Sequence, residues 1–420
     1  MQWKVRTDRT LIRAQARSTR YVLLDLVAPS APVRRTRAPL NVSFVLDRSG
    51  SMRDERKFDL AREAVLRALA MLQPTDRFSV VVYDTEIDVL TRSTPATHEA
   101  VRCATGALAE VAPRGGTDLA AGWLRGCEQV AEFLVAEGVN RVLLLTDGLA
   151  NQGIVDRELL AQHAAALRSR GVSSSTLGVG ADFDERLLRD VAHEGGGNFY
   201  FISSPGEIVA CLTSELVEAL EVTVRHAAVE LQLGEGMEAE VLHRYRSEAD
   251  SPRGSVRVML GDLASGQQLS MLVAVRFPPC SVGGDARLGV RLTGDGAGAQ
   301  LAPSELVWRY DTHAANDAQS RDVEVSRAVA KIYAARARAE ATEANRAGDM
   351  RRAERVIRLT RQRIGSYAGN DLELQSVAAD LVASIPRYAS AAMPAMALKQ
   401  SLFAEESALK SRDVAGRARR

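Results

Sequence analysis

Between Asn41 and about Leu220, short apolar runs alternate with stretches whose apolar residues recur every three or four positions. Residues 41–46, Phe78–Tyr83, 141–146 and Asn198–Ile202 are runs rich in apolar residues, as strands buried on both faces are, and Val172–Val179 reads as extended. Between them, Phe58, Ala61, Val65, Ala68, Leu69 and Leu72 make one helical stripe. Further helices are predicted over 98–110, from the Gly115-Gly116 turn to about Glu137, over 156–170 and 184–194, and from Pro205 to Leu220. Strands alternating with helices predict a doubly wound, mostly parallel, Rossmann-like α/β sheet.

The period changes to two after residue 220. Val229/Leu231/Leu233, Val256/Val258/Leu260, Met271/Val273/Val275/Phe277, Leu288/Val290/Leu292 and Leu306/Trp308/Tyr310 alternate with polar or small residues, which predicts an antiparallel β-sandwich. Val22, Leu24 and Leu26 form a similar row near the start, in a segment too short to bury a core alone. The economical organisation inserts the α/β domain into the sandwich. Residues 1–37 supply the first sandwich strands with a linker at 29–37, 38–220 the α/β domain, and 221–315 the rest of the sandwich. Residues 316–410 read as an α-helical domain: Val325, Val329, Ile332 and Tyr333 form one stripe, and Ala353, Val356, Ile357, Thr360 and Ile364 a second. Leu374, Val377, Leu381 and Ile385 form a third, stopped by Pro386. Residues 411–420 read as a basic, disordered tail.

Composition narrows the classes. Lys plus Arg number 54 against 53 Asp plus Glu, so no global field draws nucleic acid or an anionic membrane. No apolar run is long enough to span a bilayer. Cys103, Cys127, Cys211 and Cys280 lack paired spacing and read as free thiols, from which a cytoplasmic location is expected.

The chemistry gathers at predicted strand and helix boundaries. Asp47-Arg-Ser49-Gly-Ser51 closes the first strand, Thr117 follows Gly115-Gly116, and Asp147-Gly148 closes the strand at 141–146. Two carboxylates and three hydroxyls are hard oxygen donors, suited to Mg²⁺, with Mn²⁺ or Ca²⁺ as alternatives. In a parallel sheet the carboxyl ends of these strands share the rim where open α/β sheets hold ligands.

These three motifs, in this order, resemble the von Willebrand factor A family and its metal-ion-dependent adhesion site, here in the setting of a bacterial intracellular member. The resemblance covers roughly residues 38–220. It implies that Ser49, Ser51 and Thr117 bind the ion directly, that Asp47 and Asp147 bind it directly or through water, and that a partner protein's Asp or Glu completes the coordination. Arg48, Met52, Arg114, Asp118, Leu149 and Asn151 flank the motifs and are expected to rim the site. The expected function is non-enzymatic, metal-dependent protein–protein binding. The resemblance also leaves open a non-catalytic adaptor subunit of a MoxR-type ATPase or a metal-insertion complex. A Mg²⁺-dependent phosphohydrolase using Asp47 would need a second acid two residues on, where Ser49 stands; neither a Gly-x-Ser-x-Gly elbow nor a Walker loop occurs.

Overall fold

Three strands open the chain: β1 (Gln2–Thr7), β2 (Leu11–Arg13) and β3 (Ser18–Val27). The computed structural model describes residues 1–31, 38–250, 254–296 and 301–420. Most of the segment read as a linker, 32–37, therefore lies outside the described residues. The chain divides into two units, Pro32–Val222 and Met1–Ala31 together with Thr223–Arg420.

The first of these units runs β4 (Leu40–Asp47), α1 (Lys57–Leu69), β5 (Arg77–Tyr83), β6 (Ile87–Pro95), α2 (His98–Ala109), α3 (Leu119–Ala131), β7 (Val139–Thr146), α4 (Arg157–Ser169), β8 (Ser173–Val179), α5 (Glu185–Glu194), β9 (Gly196–Ile202) and α6 (Ile208–Leu220). Its sheet has the order β6-β5-β4-β7-β8-β9. All neighbours are parallel except β5 and β6. Strand β4 is central because every one of its residues is buried. Val42, Phe44, Val45 and Leu46 are at most 1% exposed, and burying each such side chain contributes about 1.5–3 kcal/mol. The strands succeeding β4 are laid down first on one side, as β5, and then on the other, as β7. Strands β4 and β7 thus flank the switch point, where the diverging connections leave a crevice at the carboxyl ends. The antiparallel edge strand β6 has no strong period in the sequence, since most of its residues are only half-buried.

The second unit continues with β10 (Val222–Leu233), β11 (Glu238–Val241), β12 (Arg246–Asp250), β13 (Ser255–Ala264), β14 (Gln268–Phe277), β15 (Asp285–Asp295) and β16 (Ser304–Asp311). One sheet has the order β1-β3-β14-β11, the other β12-β13-β10-β15-β16-β2. Strand β3 pairs along its whole length with β14, from Gln268↔Val27 to Phe277↔Ser18, so the amino-terminal strands complete a sheet begun some 240 residues later. Val22, Leu24 and Leu26 enter a core with Val229, Leu231, Met271, Val273, Leu288 and Trp308. The alternate residues Tyr21 and Leu23, with Leu272 and Ala274, pack against a helix carrying Val325, Val329 and Ile332. Burial on both faces is why the run around Val22 is nearly continuous in its apolarity.

That helix belongs to the set α7 (His313–Ala318), α8 (Val323–Arg346), α9 (Met350–Ala368), α10 (Leu372–Ala383), α11 (Ile385–Ala389) and α12 (Ala395–Leu409). The residues after it correct one expectation. The segment 411–420 is ordered: the Gln268 amide donates to the Arg419 carbonyl (2.8 Å) and the Ser411 hydroxyl to the Ser270 carbonyl (2.6 Å). Strand β11 pairs only with Val273–Arg276 of β14, so the first residues of β14 leave an edge that this segment covers.

Candidate metal centre

Helix α3 lies close on the sheet because Gly122 and Gly126 have no side chain to hold it off. A Cβ at Gly126 would stand 2.2 Å from Val45 Cγ2, and one at Gly122 2.4 Å from the Tyr83 ring. This approach brings Thr117, two residues before α3, to the ends of β4 and β7. Backbone bonds knit the loops together: Gly50 N donates to Gly115 O (3.2 Å) and Arg114 N to Arg48 O (2.7 Å). Asn151 accepts from Thr117 N through its side chain (3.0 Å), while its own amide donates to Thr117 O (3.2 Å).

The oxygen donors form a connected set. Asp47 Oδ1 accepts from Ser49 N (2.7 Å) and Oδ2 from the Thr146 hydroxyl (2.6 Å). The Ser49 and Ser51 hydroxyls are 3.1 Å apart, and Ser51 donates to Asp147 Oδ1 at 2.7 Å. Thr117 joins across Gly148: a Cβ built there would lie 3.5 Å from Thr117 Oγ1 and 3.9 Å from Ser51 Oγ. Asp47 is fully buried, and burial pushes its carboxyl up to about 6, with the nearby Asp147 charge adding to the rise against the Thr146 and Ser49 hydrogen bonds.

The donor set fits a small divalent cation. Neighbouring ligand oxygens of an octahedral Mg²⁺ bound at ~2.1 Å are roughly 3 Å apart, which the 2.7 Å and 3.1 Å spacings here match. The buried Asp47 carboxylate, met by the neutral donors Ser49 N and Thr146 Oγ1, also needs positive charge, since an uncompensated buried anion costs several kcal/mol. Among the described residues no group of three or more His, Cys, Asp or Glu side chains gathers as a metal cluster, and this rim relies on two carboxylates with hydroxyls instead.

The flanking residues divide. Leu149 is 56% exposed, and Arg114 and Asn151 are also exposed. Met52 corrects the rim expectation: it is completely buried among core side chains. Arg48 corrects it too, being 6% exposed and paired with Asp84 and Asp88. Asp118 caps α3, accepting from Ala121 N at 3.0 Å. Asp118→Ala is therefore expected to lower stability by about 1 kcal/mol and to leave cation affinity within about twofold; a denaturant titration and a cation titration check both. Two residues that matter here were not singled out in the sequence. Thr146 orients Asp47, and the Lys57 ammonium lies 2.7 Å from Asp147 Oδ2. Thr146 was signalled by its place beside Asp147, whereas Lys57 carries no local signal.

A family model for the von Willebrand factor type A domain matches residues 41–214, the segment that builds this sheet and its rim. Residues 41–214 form a von Willebrand factor type A domain. Such domains commonly bind a divalent metal and mediate protein–protein interaction. The chain is 25% identical to the uncharacterized protein YfbK of Escherichia coli over 236 residues, 55% of this chain and 41% of that one. It is 32% identical to human inter-alpha-trypsin inhibitor heavy chain H4 over 173 residues, 40% of this chain and 18% of that one. These relatives are thus spanned over less than half their length. Among solved structures, a von Willebrand factor type A protein from Catenulispora acidiphila superposes with TM-score 0.74 at 17% identity, over 97% of this chain and 96% of that one. The ArnB paralog VWA2 from Sulfolobus acidocaldarius gives 0.62 at 15% identity, over 97% and 98%. The fold beyond the von Willebrand factor A domain, with its antiparallel sheets and terminal helices, is therefore shared across nearly the whole chain. Among the described residues no helix is long and apolar enough to cross a membrane.

Proposed function

We propose that the chain is a divalent-cation-dependent binding protein that captures an acidic side chain of a partner protein at this rim. The observation that carries the reading is the continuous set Asp47–Ser49–Ser51–Asp147, with Thr117 facing the same glycine, at the switch point of the sheet. Ser49, Ser51 and Thr117 would hold Mg²⁺ or a similar ion, with Asp47 and Asp147 balancing its charge. The bound ion would supply a Lewis-acidic vertex for a carboxylate. Thr146 fixes one oxygen of Asp47, and Asn151 fixes the Thr117 backbone, so the donors are oriented before any ligand arrives. Leu149, Arg114 and Asn151 surround the rim and would contribute affinity and selectivity, because one ionic contact in water is weak.

The test compares wild type with Thr117→Ala as bait for proteins of the source cell, in Mg²⁺ and in excess chelator. A partner retained only by wild type in Mg²⁺ is the expected result. Thr117→Ala removes one hydroxyl from a site whose backbone bonds persist, so circular dichroism should be unchanged. Equal retention by the variant, or in chelator, would overturn the reading.

A further inference from the structure

Lys57 is the first residue of α1 and the cation in contact with Asp147. Its ammonium lies 2.7 Å from Asp147 Oδ2, its side chain is 12% exposed, and the Asp147 side chain is wholly buried. The turn that delivers it is costly: the two residues before it, Glu55 and Arg56, sit at φ +53° and +59°, in the left-handed region that side-chain-bearing residues avoid. The opposite oxygen of the same carboxylate accepts from Ser51. Asp147 is therefore held between the Lys57 ammonium on one side and the ion-binding hydroxyls on the other.

We infer that Lys57 sets the charge of the metal centre, weakening its hold on the cation so that the loaded site keeps an unsatisfied demand for an anion. The charges decide the matter. Asp47 and Asp147 bring two negative charges, Lys57 one positive and a divalent cation two, so the loaded site carries one net positive charge. Without Lys57 the same site would be neutral and complete. The residual charge favours a partner's carboxylate, with the ammonium supporting Asp147 whenever the ion is absent. This rests on the metal-binding reading and adds to it a residue that trades ion affinity for ligand affinity. An ammonium and a dication separated by one carboxylate, about 6 Å, repel strongly enough to change ion affinity roughly tenfold even under water-like screening.

The experiment titrates Mn²⁺ into wild type, Lys57→Met and Lys57→Arg, following free Mn²⁺ by its paramagnetic resonance signal, and melts each protein in chelator. Lys57→Met should bind Mn²⁺ about tenfold more tightly while melting at a lower temperature in chelator, because Asp147 then stands buried and unpaired. Lys57→Arg should stay within about threefold of wild type. Tighter binding by a less stable protein is a combination that a merely structural lysine would not produce. Unchanged or weaker Mn²⁺ binding by Lys57→Met overturns the inference and leaves the metal centre standing, whereas no Mn²⁺ binding by wild type removes the metal centre itself. If Lys57→Met does not fold, Lys57→Gln replaces it and is judged by the same outcomes.

Discussion

Arg141→Ala is expected to lower the stability of the metal-site unit by about 3–5 kcal/mol, the range for breaking a buried ion pair by removing one partner. Arg141 lies on β7 and Glu215 on α6, with side chains 5% and 0% exposed and 2.9 Å between Nη1 and Oε1. The carboxylate also accepts from Ser175 Oγ (2.5 Å), Asn198 Nδ2 (2.9 Å) and Tyr200 OH (2.6 Å). One side chain of α6 thus holds three adjacent strands, β7, β8 and β9. Hydroxyl and amide donors cannot neutralise its charge, and losing the guanidinium removes a cation from beside a buried carboxylate. Domains are stable by only about 5–15 kcal/mol, so a large part of the population would unfold under mild denaturant. Urea unfolding followed by intrinsic fluorescence, with Trp123 reporting this unit and Trp3 and Trp308 the other, gives the measurement. A change below about 1 kcal/mol would show that the pair is relaxed or hydrated in solution. Glu215→Gln keeps an acceptor for some of the donors and should cost less than Arg141→Ala.

Glu215 also shows where sequence reading stops. The stripe Ile208, Leu212, Leu216 and Leu220 marked the buried face of α6, with Leu220 only half-buried at its end, but a glutamate beside it reads as a solvated charge. Arg141, Ser175, Asn198 and Tyr200 reach it from three separate strands, and no local spacing encodes that meeting. The doubly wound sheet was legible because parallel strands must be apolar on both faces. The five oxygen donors were legible because each sits where a strand or helix ends. Strand β6 was not, since half-buried edges blur its period, and α12 was read only as part of the helical region 316–410, with no stripe of its own. That helix buries Lys399, Glu405 and Glu406 along with its apolar residues, so its sequence shows no clean stripe. Met52 was misplaced for a similar reason. It follows Ser51 in sequence, but the short 3₁₀ segment Gly50–Arg56 turns its side chain inward while Ser51 stays exposed.

Asp47→Asn should make the metal-free protein more stable than wild type at neutral pH, although it removes a donor from the ion site. Asp47 is fully buried and its carboxyl is raised to about 6 from 3.8. Between these values the folded state holds a proton that the unfolded state has lost. Stability therefore falls as pH rises from about 4 to 6 and stays low above it. The difference of about 2 pH units corresponds to about 3 kcal/mol at pH 7.5. Asparagine carries no charge and escapes this penalty. Its carbonyl would accept from Ser49 N and its amide donate to Thr146 Oγ1, whose own proton can turn to the Gly148 carbonyl 3.4 Å away. In chelator at pH 7.5, Asp47→Asn should melt well above wild type, and the gap should close below about pH 4. Cation reverses the order, since ligand at a hundredfold excess over its Kd stabilises wild type by about 2.7 kcal/mol and does nothing for a variant that cannot bind it. The curves should meet near that excess and cross beyond it. A variant less stable than wild type in chelator at every pH would mean that Asp47 is ionised without cost, and the buried carboxylate would then hold no free energy in reserve for the incoming ion.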